Sequence, residues 1–317
     1  MRVSQLGLED IKSLFPGGVD LFVCSVSFEN RCRSIAESLD LTNVRHALIA
    51  ENENHIDLHG NNAAILARLF DNRARQVFLD TTDPLKTADG LETALQDYAD
   101  LGCRKIVVDI TTFTHEGFLI VFNLLRRHFD PSEVSYFYAG AREYSVGAKD
   151  SEKWLSKGIG EIRSVLGYSG RFLPSRKLHL ITLVGFEHER VNELIRRYEP
   201  SVISLGYGES AEPGAEYHHP PNRIGYSRVK AVYANAREFS FYCYDPERTK
   251  QIIQAQVQEV PRTNVIVAAF NTKLSTMGVA LAALEDDSIQ LCYAQALTYN
   301  YSAYSRAGDK AYLIEEG

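Results

Sequence analysis

Short apolar runs alternate along this chain with longer segments of helical period. Runs at 19–26, 45–50, 76–79, 105–110 and 133–139 read as buried strands. Between them, segments 31–39, 60–70, 91–101 and 117–128 carry apolar residues at helical spacing, such as Ile35, Ala36 and Leu39, or Leu66, Ala67 and Phe70. The order then resumes. Strands are predicted at 179–184, 201–205, 239–244, 264–269 and 289–294, and helices at 189–198, 228–235, 247–259 and 275–284. Strands alternating with helices of this length predict βαβ units and a mainly parallel sheet. Between the two series, 144–174 is rich in glycine and lacks a long periodic stretch. It reads as a connector with a short helix near 152–156. Residues 209–223 read as a loop.

The two series share more than order. Leu21-Phe-Val-Cys-Ser-Val-Ser-Phe-Glu-Asn-Arg31 answers to Leu178-His-Leu-Ile-Thr-Leu-Val-Gly-Phe-Glu-His-Glu-Arg190. Phe28 and Phe186 lie 158 positions apart (186 − 28). Residues 105–117 answer to 264–278, pairing Gly117 with Gly278 at an offset of 161 (278 − 117). Tyr136-Phe-Tyr-Ala139 answers to Leu291-Cys-Tyr-Ala294. The predicted class is α/β: two tandem Rossmann-like domains from an internal duplication, each a mainly parallel sheet flanked by helices. The expected boundaries are 1–150 for the first unit, 151–174 for the connector and 175–317 for the second unit.

Composition narrows the function. The 317 residues suit two domains at roughly 100–200 residues each. A net charge of −7 argues against nonspecific coating of duplex DNA, which needs a broad basic face. No apolar run reaches the ~18–20 residues of a membrane helix, and the N-terminus lacks a signal-type apolar core, so a cytoplasmic protein is expected. The five cysteines include no C-x-x-C and read as buried reduced thiols. Walker A, G-x-G-x-x-G and G-x-S-x-G patterns are absent. His55 and His59 have i,i+4 spacing but no further ligands, so no metal and no cofactor are expected.

In a parallel sheet, ligands lie beyond the carboxyl ends of the strands. Four segments fall there. In the first, Ser27 and Arg31 suit a phosphate or ribose, while Ser27 and Glu29 also suit a plain helix cap. Glu187 and Arg190 repeat the pattern. In 109–116, Thr111 and Thr112 suit a phosphate nest, or a capping set with Asp109. Asn271-Thr272-Lys273 suits a phosphate or a base edge, or is a solvated turn. The loop His218–Arg223 is a ligand cover or a surface insertion. Tyr299, Tyr301 and Tyr304 suit base stacking or packing between the halves.

With these segments in view, the chain resembles the CARF and SAVED sensor domains of prokaryotic anti-phage defence. The resemblance rests on the tandem repeat and on Asp109-Ile-Thr-Thr-Phe-Thr and Phe270-Asn-Thr-Lys at matching turns. It departs from the Gly-Gly-Thr-Lys form: the first turn has no Lys and the second no Gly. The resemblance implies a nucleotide or cyclic oligonucleotide ligand held between two halves, and an operon-encoded protein partner. One alternative is an enzyme cleaving a phosphodiester or N-glycosidic bond of a signalling nucleotide or NAD. Glu29 and Asp109 would then be acid and base, and 19–29 resembles the first box of TIR domains. Another is a structural partner subunit of a defence complex.

Overall fold

Leu21–Cys24 is apolar at every position, so it must be covered on both faces; that is the requirement of a central parallel strand. The computed structural model meets it. It describes residues 1–147, 149, 154–209 and 219–316, with the side chains at 55 and 219–221 outside that description. The chain divides into two units: 1–146 with 304–317, and 147–303.

The first unit contains β1 (Arg2–Gly7), β2 (Val19–Ser25), β3 (Val44–Asn52), β4 (Ala74–Leu79), β5 (Ile106–Asp109), β6 (Val134–Tyr144) and β13 (Ser305–Glu315). Its helices are α1 (Ser34–Ser38), α2 (Asn62–Phe70), α3 (Pro84–Asp100) and α4 (His115–His128). The sheet order is β1-β13-β6-β5-β2-β3-β4. The last five run parallel, while β13 is antiparallel to both β6 and β1. Phe22, Cys24, Ile35, Ile49, Leu66, Phe70, Val107 and Phe137 share the core on the α1/α2 side.

The second unit contains β7 (Ser156–Ser164), β8 (Leu178–Val184), β9 (Val202–Glu209), β10 (Arg237–Tyr242), β11 (Asn264–Ala269) and β12 (Ile289–Tyr299). Its helices are α5 (His188–Tyr198), α6 (His219–Val232), α7 (Pro246–Glu259) and α8 (Lys273–Glu285). The order is β10-β9-β8-β11-β12-β7, with β7 antiparallel to β12. Both units therefore place five parallel strands in one order, with the reversal beside the first strand of the set. Each is Rossmann-like, as expected.

Register fixes the correspondence. Leu21 lies beside Ile106, which lies beside Val134. His179 lies beside Val265, which lies beside Ile289. Ala139 then matches Ala294, as the sequence indicated. Thr114 and Thr272 cap α4 and α8 and lie 158 positions apart (272 − 114). Gly117 thus corresponds to Ser275; its expected pairing with Gly278 is corrected by three residues, nearly one helical turn.

Other expectations are corrected by pairing. Residues 305–315, expected in the second unit, join the first sheet as β13, and 156–164, expected in the connector, join the second as β7. Each unit's antiparallel strand is thus the segment that follows the other unit's last parallel strand. α3 begins at Pro84 rather than Leu91, because Asp83 accepts hydrogen bonds from the amides of Leu85 and Lys86 at 3.1 Å and Pro84 presets the first turn. Asp245-Pro246 opens α7 the same way. Residues 219–223, expected as loop, open α6. The expected short helix at 152–156 and His218 fall wholly or partly outside the described residues.

His179 is fully buried at the start of β8, with Nε2 at 2.8 Å from Ser204 Oγ. Burial pulls its pKa down to about 4. The folded protein therefore keeps the ring neutral, and the associated stability is present above pH ~6.5 and lost as pH falls toward 4. Thermal unfolding followed from pH 7 to pH 4 should show a steeper loss in the wild type than in His179→Gln. Parallel pH profiles would overturn this assignment.

Candidate functional site

The reversal of strand order along the chain lies between β2 and β5 in the first unit and between β8 and β11 in the second. Loops leaving neighbouring strands there diverge to opposite faces and open a crevice. All of the segments singled out for chemistry end at these two crevices, apart from the loop 218–223 and the tyrosine-rich tail.

The first crevice is built on a buried ion pair. Arg31 is 3% exposed. Its Nη2 and Nε donate to Glu29 Oε2 at 2.7 and 3.1 Å, and Nη1 donates to the carbonyl of Ala139 on β6 at 2.9 Å. Ser305, the first residue of β13, donates to the same Glu29 oxygen. The guanidinium lies 5.2 Å from the Tyr144 ring centre and 6.0 Å from that of Tyr138. One guanidinium therefore ties the loop after β2 to β6 and β13.

The second crevice repeats this arrangement. Arg190 Nη1 donates to Glu187 Oε2 at 2.5 Å, and Nη2 donates to the carbonyl of Ala294 on β12. Ser156, the first residue of β7, donates to Glu187 Oε1. The rings beside Arg190 are Phe270 and Tyr293, at 5.2 and 5.9 Å. Its Nε is buried with no partner among the described residues. The carboxylate, guanidinium, alanine carbonyl, strand-opening serine and aromatic rings all recur. The expected pairing of Glu29 and Arg31 with Glu187 and Arg190 is therefore met in space, although one pair is spaced i,i+2 and the other i,i+3. Every nitrogen of the Arg31 guanidinium already donates to a protein acceptor, whereas in Arg190, among the described residues, only the two terminal nitrogens do.

The remaining expected residues lie close by. Ser27 Oγ accepts from the amide of Glu29 at 3.3 Å, and the Ser27 carbonyl accepts from Asn62 Nδ2 at 2.8 Å. Thr111 donates to Asp109 through its amide, at 3.0 Å, and through its hydroxyl, which also accepts from the amide of Ala139 at 2.8 Å. Thr112 donates to the carbonyl of Ser25 at 2.7 Å. Thr114 caps α4, accepting from the amide of Gly117 at 3.0 Å. In the second unit, Asn271 Nδ2 donates to the carbonyl of Val184 at 3.1 Å. Thr272 caps α8 and donates to the carbonyl of Cys243. Lys273 is the half-buried first residue of α8. Gly185 stands where the first unit has Ser27; a methyl group there would overlap the carbonyl of Phe270, so only glycine lets these two loops meet.

The crevices differ in charge. Asp109 is 2% exposed and matches Ala268. Burial pushes its carboxyl up to about 7, against the hydrogen bonds from Thr111 and the charge of Arg31, which pull it down. Its Oδ2 has no partner among the described residues. Tyr304 packs edge-on against Phe28 at 5.5 Å, whereas Tyr301 is exposed.

Sequence reasoning missed a further buried pair. His59 Nδ1 lies 3.0 Å from Glu51 Oε1, with both side chains buried. The available signal was Glu51-Asn52 closing an apolar strand at its carboxyl end; the i,i+4 spacing of His59 points only to His55, whose side chain lies outside the description. Among the described residues, no group of three or more His, Cys, Asp or Glu converges as a metal site, the five thiols are free and buried, and no helix is long and apolar enough to cross a membrane.

Two outcomes follow from this geometry. Arg31→Met leaves Glu29 buried without its cation and should cost about 3–5 kcal/mol. Adding Glu29→Gln should recover part of that loss in urea unfolding, whereas simple additivity would deny the coupling. Asp109 binds its proton more tightly folded than unfolded, so its contribution is fully present below pH ~4 and is lost as pH rises through about 7. The Tm of Asp109→Asn relative to wild type should therefore climb between pH 4 and pH 8. A flat difference would contradict the burial argument.

No known protein family matches the chain as a profile, and no curated protein matches it by sequence. Among solved structures, the fold is similar to that of a Type III CRISPR defence DNA nuclease activated by cyclic oligoadenylate. That similarity has a TM-score of 0.53 at 9% identity and covers 91% of this chain and 68% of that one. A UDP-GlcNAc 2-epimerase from Neisseria meningitidis, bound to UDP-GlcNAc, aligns over 79% of this chain and 77% of its own at 10% identity. Its TM-score of 0.25 is too low to bear on the fold. The first likeness is one of fold alone.

Proposed function

We propose that this protein is a nucleotide-binding sensor or regulatory subunit of a prokaryotic defence system, with a cyclic oligonucleotide as its ligand class. The observation that carries this reading is the repeated crevice. Two Rossmann-like units each set a capped helix N-terminus (α4 behind Thr114, α8 behind Thr272) at the strand-order reversal. Helix N-termini and reversal crevices suit phosphates and nucleotides. The solved structure of similar fold is described as activated by cyclic oligoadenylate, which supports the choice of ligand class. Ser27, Thr111, Thr112, Asn271, Thr272 and Lys273 are the proposed contacts. Arg31 and Arg190, held by Glu29 and Glu187, are the groups whose partners a phosphate would replace. Output to an operon-encoded protein partner belongs to the same proposal.

A second reading, ligand cleavage, is favoured by one observation. The Asp109 carboxyl is pushed up to about 7, where a group both holds and releases protons near neutrality. Glu29 is less suited to this, being engaged by Arg31 and Ser305.

One experiment separates the two readings. The full chain is incubated with cyclic tri-, tetra- and hexa-adenylate, NAD and ATP, and Tm and ligand mass are read from the same samples. A ligand at about 100 times its Kd should add about 2.7 kcal/mol of stability. A shift with intact ligand is the expected result. A cleaved ligand whose turnover is lost in Asp109→Asn would establish the second reading instead. No shift and no cleavage would overturn both.

A further inference from the structure

The carboxyl end of β3 carries an arrangement that the proposed contacts leave unused. Glu51 and Asn52 are the last two residues of the strand, which neighbours β2 on the side away from β5. Glu51 is 5% exposed and His59 3%. The 3.0 Å bond between His59 Nδ1 and Glu51 Oε1 fixes the orientation of both side chains. The segment carrying His59 is tied to the crevice loop. The amide of Asn62 donates to the carbonyl of His59 at 3.1 Å, and its side chain donates to the carbonyl of Ser27 at 2.8 Å. The pair therefore sits alongside the loop leaving β2. Asn52 adds a second observation: its Oδ1 is buried with no partner among the described residues. The end of this strand thus holds a buried carboxylate beside an amide oxygen that still wants a donor.

Position and chemistry point the same way. In the doubly wound fold, a carboxylate near the carboxyl end of the second parallel strand meets the ribose hydroxyls of a nucleotide lying across the reversal. β3 is that strand. A ribose hydroxyl is a donor, which is what a carboxylate and an amide oxygen require. The corresponding place in the second unit has no such group. His46 lies beside Leu21, and Val202 beside His179, so Glu51 matches Tyr207 and Asn52 matches Gly208. Tyr207 packs against the ring of Tyr226 at 5.5 Å. A side chain at the Gly208 position would run into the sulfur of Cys243 at 2.6 Å.

We infer that Glu51, oriented by His59, is a ribose-hydroxyl acceptor in the first unit, so that the protein selects a ribonucleotide over its 2′-deoxy counterpart. This rests on the nucleotide-sensor reading and deepens it by naming the sugar. Burial is what makes such an acceptor selective. A ligand without the hydroxyl leaves this poorly solvated carboxylate with its His59 bond alone and one donor fewer than the ribo form supplies.

The test uses the full chain with cyclic tetra-adenylate and its all-2′-deoxy counterpart, each titrated calorimetrically. The wild type should bind the ribo form at least about tenfold more tightly. In Glu51→Gln the ratio should fall to about threefold or less, through weaker ribo binding, with deoxy binding unchanged. If Glu51→Gln does not fold, His59→Gln keeps the carboxylate but loses its orienting partner and should shrink the ratio likewise. Equal affinities in the wild type, or a ratio unmoved by the substitution, would overturn the ribose assignment while leaving the sensor reading intact. Binding of neither form to the wild type would overturn the sensor reading itself, and the ribose assignment with it.

Discussion

A buried guanidinium held by a carboxylate organises each unit of this protein. Taking Arg31 and Glu29 out of water is costly, and the cost is offset only where their hydrogen-bonding groups find partners at good geometry. The fold supplies those partners from three separate places: the loop after β2, the carbonyl of Ala139 on β6, and Ser305 on β13. The loop that borders the crevice is thereby fastened to the far side of the sheet. In the second unit Arg190 fastens Glu187, Ala294 and Ser156 in the same way. The clamp also explains the antiparallel strands. β13 and β7 do more than cover an edge, because each brings the serine that donates to the carboxylate of its clamp.

The two units then differ where chemistry would occur. In the first, a fully buried Asp109 stands at the end of β5, and Glu51 with His59 closes β3. In the second, those places hold Ala268 and Tyr207, while Lys273 opens α8 and Gly185 lets two loops touch. Beyond the shared Glu–Arg pair, further carboxylates and an imidazole collect in the first crevice and Lys273 in the second. Phosphates are drawn to cations and helix N-termini, whereas hydroxyls are drawn to carboxylates. A single nucleotide class presents both kinds of group, so divergence of the halves is compatible with recognition of one kind of ligand.

Much of the fold was legible in the amino-acid order. Apolar runs marked the parallel strands, most clearly the central ones such as β2, β5, β8 and β11, which are covered on both faces. Most helices showed through their 3.6-residue period. Boundaries were less legible where a cap overrode the pattern. α3 runs through Gly90, because Asp83 and Pro84 start it about two turns earlier than its apolar face suggests. Strands β1, β7 and β13 were not legible. They are edge or near-edge strands with mixed exposure, and they lack the continuous apolar signature of a central strand. The Glu-Arg recurrence was visible, but its role was not, since the acceptors of Arg31 and Arg190 include backbone carbonyls more than a hundred residues away in sequence.

The sequence by itself determined the repeated strand–helix order, the segments that end at the strand reversals, and the residue types available there. Those properties follow from local periodicity and from the rule that apolar runs must be buried. Only the tertiary structure decided which unit receives 156–164 and 305–315, that Glu29 and Glu187 face inward to their arginines, and that Glu51 meets His59. Each of these depends on partners distant in the chain or brought round by a turn. Hydrogen-bond satisfaction of a buried charge is a condition on three-dimensional neighbours, and residue order alone does not specify them.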